Sequence, residues 1–309
     1  MNITFRQLRV FTEVVRQASV QRAAEQLHLT PPAVSMQIKE LESQVGLPLF
    51  DRTGRRLSLS TAGEYFVVYA RRLLGTLKEA EDAMARFTGV ESGLLTIGMV
   101  SSAKYFLPQL LAQFHAEHPA VAVRLRLGNR EHLVTLMQAN EVDMSIMGRA
   151  PKEWPNRAEP FAAHPHVLVT APSHPFANAE SVPAAALVRE GFIVREQGSG
   201  TRAALEEYLA AYHLQPMFIM ELPNDEAIKQ AVMAGLGVSL LSRHTIGLEW
   251  RNGLISTPAV EGLPLMRRWN LVTAAAKALS PAAEAFRYFM LERAEVHLAG
   301  MFGAEAGLE

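Results

Sequence analysis

The sequence predicts a multidomain α+β protein with an N-terminal winged helix-turn-helix, a long linker helix and a C-terminal bilobed α/β domain. Three observations lead to this prediction. Short helical segments joined by tight turns fill the first 60 residues, a proline-free heptad pattern follows, and strands then alternate with helices. A chain of 309 residues is long enough for two or three domains.

The composition excludes several functional classes. The chain contains no cysteine, so it has no disulfides, no thiolate nucleophile and no Cys-ligated zinc. No apolar segment of signal-peptide length opens the sequence, and no apolar run approaches the roughly 18 residues of a membrane span. We therefore expect a cytoplasmic protein. The net charge of −1 divides into 12 Lys/Arg against 9 Asp/Glu in residues 1–89, and 18 against 22 in the remainder. This imbalance is too small to identify a nucleic-acid partner by itself.

The first two predicted helices have the length and spacing of a helical hairpin. Residues 4–17 form a helix with one apolar face, and residues 20–27 form a shorter helix after a turn. Ser19 can cap the second helix. The adjacent Ala23 and Ala24 indicate that another helix approaches closely.

The segment HLTPPAVSMQIKELESQVG, residues 28–46, predicts a third helix with a stiffened start. Thr30 can cap it, and Pro31 and Pro32 fit its first turn, where a missing N–H costs nothing. Gly46 can end it. The apolar residues recur at steps of 4, 3 and 4 and mark one buried face: Val34, Ile38, Leu41 and Val45.

Two short helices joined by a tight turn predict a helix-turn-helix, whose second helix contacts bases in the major groove of DNA. Hydroxyl and amide groups on this helix could hydrogen-bond bases or phosphates, Met36 could contact a thymine methyl, and Lys39 could reach a phosphate. The alternative is a plain helical hairpin inside a larger core. The candidate DNA contacts here are Ser19, Arg22, Thr30, Pro31, Pro32, Ser35, Met36, Gln37 and Lys39.

A basic hairpin is predicted after the third helix. The segment LPLFDRTGRRLSLST indicates two short strands around a turn at residues 53–54. As a wing beside the helix-turn-helix, it would place Arg52, Arg55 and Arg56 against the DNA backbone or in the minor groove. The alternative is that these arginines form an ordinary solvated surface.

Residues 61–88 predict a long linker helix that forms a coiled-coil dimer. The apolar residues follow a strict 4-3 spacing over three heptads, which is typical of a coiled coil. The alternative is a helix that lies on its own domain. A dimer would present two reading helices to two DNA half-sites, about one helical turn apart or a multiple of that. These apolar residues, which form the predicted dimer seam, are Phe66, Ala70, Leu73, Leu77, Ala80, Met84 and Phe87.

Beyond a hinge at residues 89–93, the pattern changes to alternating strands and helices, which predicts a mostly parallel sheet with helices on both faces. Strands are expected at 94–100, 122–128, 142–148, 166–171, 192–194, 217–221, 238–241 and 269–275, and helices at 103–117, 130–139, 201–213, 224–234 and 281–293. We assign residues 94–165 and 267–297 to lobe I, residues 166–266 to lobe II, and residues 298–309 to a loose tail. The segment HPHV at 164–167 is interpreted as a connector between the lobes.

Enzyme signatures are missing from the sequence. The GSG segment lacks the lysine of a P-loop, no G-x-G-x-x-G follows the first strand, and GVSLL lacks the closing glycine of a nucleophile elbow. The histidines do not have metal-ligand spacing, and H-E-x-x-H does not occur. We therefore expect no enzyme activity, no metal site and no cofactor.

The residues AAEQLHLTPPAVSMQIKELE, GLPLFDR and LSLSTAG, within the segment 5–66, resemble the LysR-type transcriptional regulators, and the resemblance covers nearly the whole chain. The resemblance implies a winged helix-turn-helix, a dimerising linker helix, and an effector domain like a periplasmic solute-binding protein. Members of the family usually act as tetramers, and RNA polymerase is a candidate further partner. The family often has a basic or long polar residue where Met36 stands, which weakens the expectation of a base contact there.

Three segments of the C-terminal half, GNREHLVTLMQANEVDMSIMGRAP, PFAAHPHVLVTAPSHPFA and VREQGSGTRAALE, resemble regulators of carbon-fixation (RubisCO) operons. That resemblance implies an effector that is a phosphorylated intermediate or NADPH, and it leaves activation and repression both open. Two alternatives are a LysR-type regulator of an unrelated pathway with a different effector, and a solute receptor without DNA binding. The solute receptor would explain the lobes but not the basic hairpin or the prolines.

The residues themselves indicate an anion site between the lobes. Ser101 and Ser102 precede a helix predicted to start near residue 103, and EQGSGTR precedes the helix at 201, so two positive helix ends could face a phosphorylated or carboxylated metabolite. Arginine can grip a phosphate bidentately. The alternative is that the serines are ordinary caps and the arginines form surface pairs. The candidate residues are Ser101, Ser102, Lys104, Asn129, Arg130, Gly148, Arg149, Arg195, Ser199, Gly200, Thr201, Arg202 and Asn224.

Overall fold

A computed structural model describes residues 2–51, 57–87 and 93–303. The chain divides into two compact units, residues 1–87 with 139–141 and residues 88–138 with 142–309. The predicted hinge at 89–93 lies outside the described residues, except for its last residue.

The N-terminal unit contains the helices and the hairpin that the sequence predicts. Its elements are α1 (Phe5–Gln17), α2 (Val20–Leu27), α3 (Pro31–Val45), β1 (Phe50–Asp51), β2 (Ser58–Leu59) and α4 (Thr61–Phe87). Strands β1 and β2 pair antiparallel on either side of residues 52–56, which lie outside the described part of the chain.

Local capping explains where these helices begin and end. The Thr4 hydroxyl accepts a hydrogen bond from the Gln7 N–H and the Gln7 side chain accepts one from Thr4 N–H, which forms a capping box. Ser19 caps α2 and Thr30 caps α3, whose first turn begins with two prolines. Gly46, with φ +79°, ends α3 in the left-handed conformation that glycine adopts without strain.

The core of this unit includes the start of the linker helix. The Phe11 ring packs edge-on against Phe50 and Phe66, with centroid distances of 5.4 Å in both cases. Ala70 is fully buried in the same core. The assignment of Ala70 to the dimer seam is therefore wrong, because this side chain is fully buried where α4 packs on α1. Phe66 is half-buried, and its place in the seam stays a prediction. Further along, Leu73 and Met84 are exposed and Leu77 is half-buried, so this part of the seam stays a prediction. Ala80 is exposed, and the Phe87 side chain lies outside the described residues.

The C-terminal unit contains eight strands and six α-helices within its described residues. In chain order they are β3 (Gly93–Met99), α5 (Leu107–Glu117), β4 (Val121–Leu127), α6 (Arg130–Gln138), β5 (Met144–Met147), β6 (Asn156–Val169), β7 (Gly191–Arg195), α7 (Gly200–Ala211), β8 (Met217–Leu222), α8 (Asp225–Met233), β9 (Ser239–Ser242), α9 (Gly247–Arg251), β10 (Leu265–Ala274) and α10 (Pro281–Phe302). Short 3₁₀ segments occur at Ser101–Tyr105, Pro175–Asn178, Ala184–Arg189 and Arg243–Thr245.

The main sheet is mixed rather than mostly parallel. Its strand order is β4-β3-β5-β10-β6-β9. Strand β3 is parallel to β4 and β5, whereas β10 is antiparallel to both β5 and β6, and β6 is antiparallel to β9. Strands β7 and β8 form a parallel pair, which a single parallel bridge between Phe192 and Val238 joins to the start of β9.

Strands β6 and β10 contribute to two hydrophobic cores. Phe161 and Leu271 pack in a core with α5 and α10, and Leu168 packs in a second core with α7. The segment 164–167 lies within β6, between Phe161 of the first core and Leu168 of the second, and its role as a connector between the lobes stays a prediction. Pro165 pairs with Met266 of β10. The lobe boundaries near residues 165 and 267 fall inside these two strands and stay a prediction.

The C-terminal helix continues beyond its predicted end. Helix α10 reaches Phe302, whose ring lies 4.7 Å from that of His244. Leu298 is buried in the first core. The prediction of a loose tail is therefore wrong for residues 298–302, because apolar packing outweighs the poor helix propensity of Gly300. Residues 304–309 lie outside the described part. No helix among the described residues is long and apolar enough to cross a membrane.

Replacing Leu298 by alanine tests whether the end of α10 belongs to the core. Leu298 is 3% exposed, so Leu298→Ala should lower the free energy of unfolding by about 2–5 kcal/mol in urea titrations. Val296 on the same helix is 74% exposed, and Val296→Ala should change this free energy by no more than about 0.5 kcal/mol. Equal stabilities for the two variants would contradict this packing.

Candidate functional site

Helix α3 presents an exposed face with the character of a DNA-reading surface. Val34, Ile38 and Leu41 are buried against the rest of the N-terminal unit, whereas the opposite side is open. Met36 is 56% exposed, so its side chain is accessible to a partner on this face. The other exposed candidates are Arg22, Thr30, Pro31, Pro32, Ser35 and Lys39, and Gln37 is half-buried.

Some of these candidates already make local hydrogen bonds. The hydroxyls of Ser19 and Thr30 accept from the backbone N–H groups of Arg22 and Ala33, as caps. The Gln37 amide donates to Glu40 at 3.2 Å. The predicted wing arginines Arg52, Arg55 and Arg56 lie outside the described residues, so their place on the DNA stays a prediction.

The C-terminal unit contains a cleft at the ends of its strands. The cleft encloses about 460 Å³ of space, part of it open to solvent. Ten of the thirteen predicted effector residues line it: Ser101, Ser102, Asn129, Arg130, Gly148, Arg149, Arg195, Ser199, Gly200 and Thr201. The segments after β3, β4, β5 and β7 thus come together at one cleft.

Three predicted effector residues do not line the cleft. The Lys104 ammonium lies 5.0 Å from the centre of the Tyr105 ring. The Arg202 guanidinium pairs with Glu206 at 2.7 Å and donates to the Arg195 carbonyl. The Asn224 side chain caps α8 by accepting from the Ala227 N–H. These three side chains contact other protein groups instead of the cleft, so their assignment to the cleft is wrong.

Six lining residues were not predicted: Val100, Gly128, Met147, His164, His166 and Arg267. The alternation of His164 and His166 was available as a signal, because residues two apart on a strand face the same side. The interpretation of the segment as a connector between the lobes left that signal unused. Arg267 lies on β10, whose neighbours in the sheet could not be deduced from sequence spacing.

The charge of the lining is positive. Four arginines line the cleft, and no aspartate or glutamate does so among the described residues. Three of these arginines are paired to carboxylates outside the lining: Arg130 with Glu153, Arg195 with Asp225 and Glu196, and Arg267 with Glu207. Arg149 is exposed and forms no ion pair within the described part of the chain. Its full charge is therefore available to an anion.

A buried ionic cluster joins the two sides of the cleft. Arg195 donates to Asp225 at 2.7 Å and to the Ser101 hydroxyl at 3.1 Å, and Ser101 in turn donates to Asp225 at 3.0 Å. Asp225 is 1% exposed and Arg195 is 5% exposed. The nearby carboxylates also raise the pKa of Arg195, although burial opposes this, so the guanidinium stays charged. The Ser101 hydroxyl is thus held by protein groups instead of facing the cleft alone.

A second polar contact lies beside this cluster. The Tyr105 hydroxyl donates to Glu226 at 3.3 Å, and burial raises the pKa of Tyr105 to about 12. The Lys229 ammonium lies 4.7 Å from the centre of the Tyr105 ring and donates to Glu249. Helix α8 is therefore joined to the Ser101–Tyr105 segment at several points.

One α-helix end, rather than the two predicted, faces the cleft. Ser199 precedes α7 and makes no capping hydrogen bond with its side chain, so its hydroxyl is available. The first N–H groups of a helix attract anions. In contrast, Ser101–Tyr105 is a 3₁₀ segment and α5 begins only at Leu107. The helix expected to start near residue 103 begins later because Pro108 fits only its first turn.

The described residues contain no group of three or more His, Asp or Glu side chains that could hold a metal ion. The helix-turn-helix with an exposed α3 face in one unit, and the arginine-lined cleft in the other, are typical of a DNA-binding protein with a ligand-binding domain.

The chain belongs to the LysR family of bacterial regulatory helix-turn-helix proteins. Residues 5–64 match the lysR-family helix-turn-helix model, and residues 88–295 match the LysR substrate binding domain model. Proteins of this family bind DNA and small-molecule effectors and are transcriptional regulators, not enzymes.

Named relatives are similar over nearly the whole chain. The transcriptional regulator CfxR of Cupriavidus necator is 47% identical over 305 residues, which is 99% of this chain and 95% of CfxR. The RuBisCO operon transcriptional regulator of Allochromatium vinosum is 43% identical, over 96% of this chain and 99% of that protein. The solved regulatory domain of CcmR from Synechocystis PCC6803, in complex with 2-PG, is 34% identical with a TM-score of 0.63, over 65% of this chain and 97% of that domain.

Removing the buried charge of Asp225 tests the ionic cluster. Asp225→Asn keeps the size of the side chain but leaves Arg195 with Glu196 alone, so the free energy of unfolding should fall by about 3 kcal/mol. Glu226→Gln changes the next residue, a half-exposed carboxylate, and should cost about 1 kcal/mol or less. Urea titration at neutral pH measures both values. A smaller loss for Asp225→Asn than for Glu226→Gln would show that the cluster does not stabilise the unit.

Proposed function

We propose that this protein regulates carbon-fixation operon genes in response to a phosphorylated or carboxylated metabolite that binds in the arginine-lined cleft. The single observation that carries the proposal is the charge of the lining, with four arginines and no acidic residue among the described lining residues. The relative from Allochromatium vinosum, described as a RuBisCO operon regulator, and the CcmR domain bound to 2-PG support the pathway and the ligand class.

The anion would bind between Arg149 and the start of α7. Arg149 supplies a free charge, and the N–H groups of the first α7 turn supply hydrogen bonds, with the Ser199 hydroxyl beside them. Arg130 and Arg267 strengthen the positive potential of the cleft while remaining paired to carboxylates. A dianion gains more from this arrangement than a neutral metabolite does.

In the regulator that we propose, α3 lies in the major groove and the wing contacts the backbone of operator DNA. The exposed apolar residues of α4 pair with a second copy to form a dimer, and dimers associate as tetramers. Ligand binding then acts through its preference for one arrangement of the lobes, which shifts the population of assemblies on DNA. The protein acts in the cytoplasm, where RNA polymerase is the partner that would respond to the changed assembly on DNA.

Substitutions on α3 test the DNA-reading surface. Lys39→Ala should weaken binding to operator and random duplexes by a similar factor and reduce the salt slope by about 1, because a phosphate contact is lost. Ser35→Ala should reduce the preference for the operator, because a base contact is lost. Fluorescence anisotropy with DNA from upstream of the gene, at several salt concentrations, measures both effects.

The control for these variants is Arg189→Ala, which changes an exposed arginine of the other unit and should leave DNA binding unchanged. Equal loss by Ser35→Ala on operator and random DNA would contradict a base-reading role. Binding of the wild-type protein that shows no salt dependence on any duplex would contradict the DNA-binding proposal as a whole.

Calorimetric titration tests the anion site. The wild-type protein should bind at least one of ribulose 1,5-bisphosphate, phosphoenolpyruvate, 2-phosphoglycolate and NADPH. Arg149→Ala should weaken that binding about tenfold or more, because a charge-assisted hydrogen bond is lost. Arg189→Ala is the matched control, since it removes an exposed arginine away from the cleft. If none of these anions binds the folded protein, the cleft is not the site that we propose.

A further inference from the structure

Two buried histidines form the floor of the cleft. His164 and His166 are two residues apart on β6, so both side chains face the same side of the sheet, and both line the cleft. Their ring centroids lie 4.4 Å apart. The proposed anion binding depends on the arginines and on the start of α7, and it requires neither histidine.

The ring nitrogens of His164 lack hydrogen-bond partners. His164 is 3% exposed, and neither Nδ1 nor Nε2 has a partner within the described residues. Burying polar atoms in this way is costly, and a buried group without a partner is often one that a ligand completes. The ring is held in place from one side, because it stacks on Trp269 at 3.8 Å with an interplanar angle of 17°.

Gly148 packs closely beside the His164 ring. A Cβ atom at position 148 would lie only 2.6 Å from His164 Nδ1. Gly148 and His164 both line the cleft, so this close contact lies in the cleft wall. Any larger residue at 148 would crowd the imidazole.

The hydrogen-bond role of His166 follows from its neighbour. His166 Nδ1 lies 3.2 Å from the His164 carbonyl oxygen, which can only accept, so Nδ1 carries the proton and donates. In a neutral imidazole the other nitrogen, Nε2, then has no proton and can only accept. His166 therefore presents an acceptor.

Both imidazoles are neutral at physiological pH. Burial, together with the charge of Arg267, lowers the pKa of His166 to about 3. Burial lowers the pKa of His164 well below its ordinary value, and the neighbouring His166, His244 and Arg267 act in the same direction. These residues therefore do not serve as extra cations for a phosphate. They act as neutral hydrogen-bonding groups below the arginines.

We propose that His164 and His166 select ligands that carry a hydroxyl group beside their anionic group, through hydrogen bonds between the hydroxyl and the two imidazoles. This inference rests on the proposed anion site and adds the chemical class of the ligand. The hydroxyl donates to His166 Nε2 and accepts from the protonated nitrogen of His164. The ligand is then a phosphorylated hydroxy acid or sugar, held by its phosphate at the arginines.

The selection follows from the chemistry of the two groups. A fully ionised phosphate or carboxylate has only acceptor atoms, so it cannot satisfy His166 Nε2. A hydroxyl both donates and accepts, so it can satisfy His166 and His164 together. A site with buried polar atoms discriminates strongly against analogues that leave these atoms unpaired. Phosphorylated compounds without a hydroxyl should therefore bind more weakly.

A panel of four compounds tests the proposal by calorimetry. Ribulose 1,5-bisphosphate and 3-phosphoglycerate carry hydroxyls, whereas phosphoenolpyruvate and 2-phosphoglycolate do not. The wild-type protein should bind at least one hydroxylated compound about tenfold more tightly than either of the others. His164→Phe keeps a flat ring on Trp269 and should reduce that preference to less than about threefold. Gly148→Ala crowds the same nitrogen and should have the same effect.

The control is His244→Asn. His244 belongs to the same stack but does not line the cleft, and its Nδ1 accepts from Trp269 Nε1 at 3.0 Å. An asparagine amide oxygen can accept the same bond, so the ligand preference should persist. Thermal unfolding confirms that each variant is folded.

The outcomes separate the two proposals. If the wild-type protein binds none of the four compounds, nor NADPH, the anion site itself is refuted. If it binds the compounds without a hydroxyl as tightly as the hydroxylated ones, only the histidine proposal is refuted. Equal weakening of both classes by His164→Phe would likewise refute the selection while leaving the anion site in place.

Discussion

The antiparallel pairing of β6 with β10 determines where the cleft lies. The register runs from His166 opposite Leu265 to Asn156 opposite Ala274. Because each strand contributes apolar side chains to two cores, both cores are attached to the same pair of strands, whose register shifts once, between Trp269 and Asn270. His164 and Arg267, which face each other across this pair, become the floor of the cleft. The walls are then the loops at the ends of the other strands.

The arginines of the cleft are stabilised by carboxylates that stand behind them. Burying an unpaired guanidinium would be prohibitive, and Arg195 therefore pairs with Asp225 and Glu196. These carboxylates do not line the cleft, so an entering anion meets the positive groups first. Arg149 does not need a carboxylate partner, because its guanidinium remains exposed to water. The cleft thus combines three arginines held in place by carboxylates with one arginine that forms no ion pair within the described residues.

Local signals made the N-terminal unit predictable, and non-local pairing limited the prediction of the other unit. Caps and prolines mark α3 in the sequence itself, and the loops after β3, β5 and β7 follow from strand periodicity. Pro165 suggested a connector between the lobes, and it lies within β6 just outside the pairing of β6 with β9, where a residue without an N–H is tolerated. Arg202 pairs with Glu206 at the i,i+4 spacing of a helix, so that pair could be read from the sequence. The burial of Leu298 depends on residues that are distant in sequence. No local pattern contains them.

The ionic cluster also limits how strongly a ligand can act. Ser101 and Arg195 come from opposite sides of the cleft, and they are already hydrogen-bonded to each other and to Asp225 without a ligand. A ligand shifts an equilibrium only by the contacts that differ between the two states. Contacts that already exist without a ligand do not change when the ligand binds. The shift of the equilibrium must therefore come from new contacts with Arg149, the start of α7 and the cleft floor. A coupling of about 1–3 kcal/mol, typical of allosteric proteins, needs only one or two such hydrogen bonds.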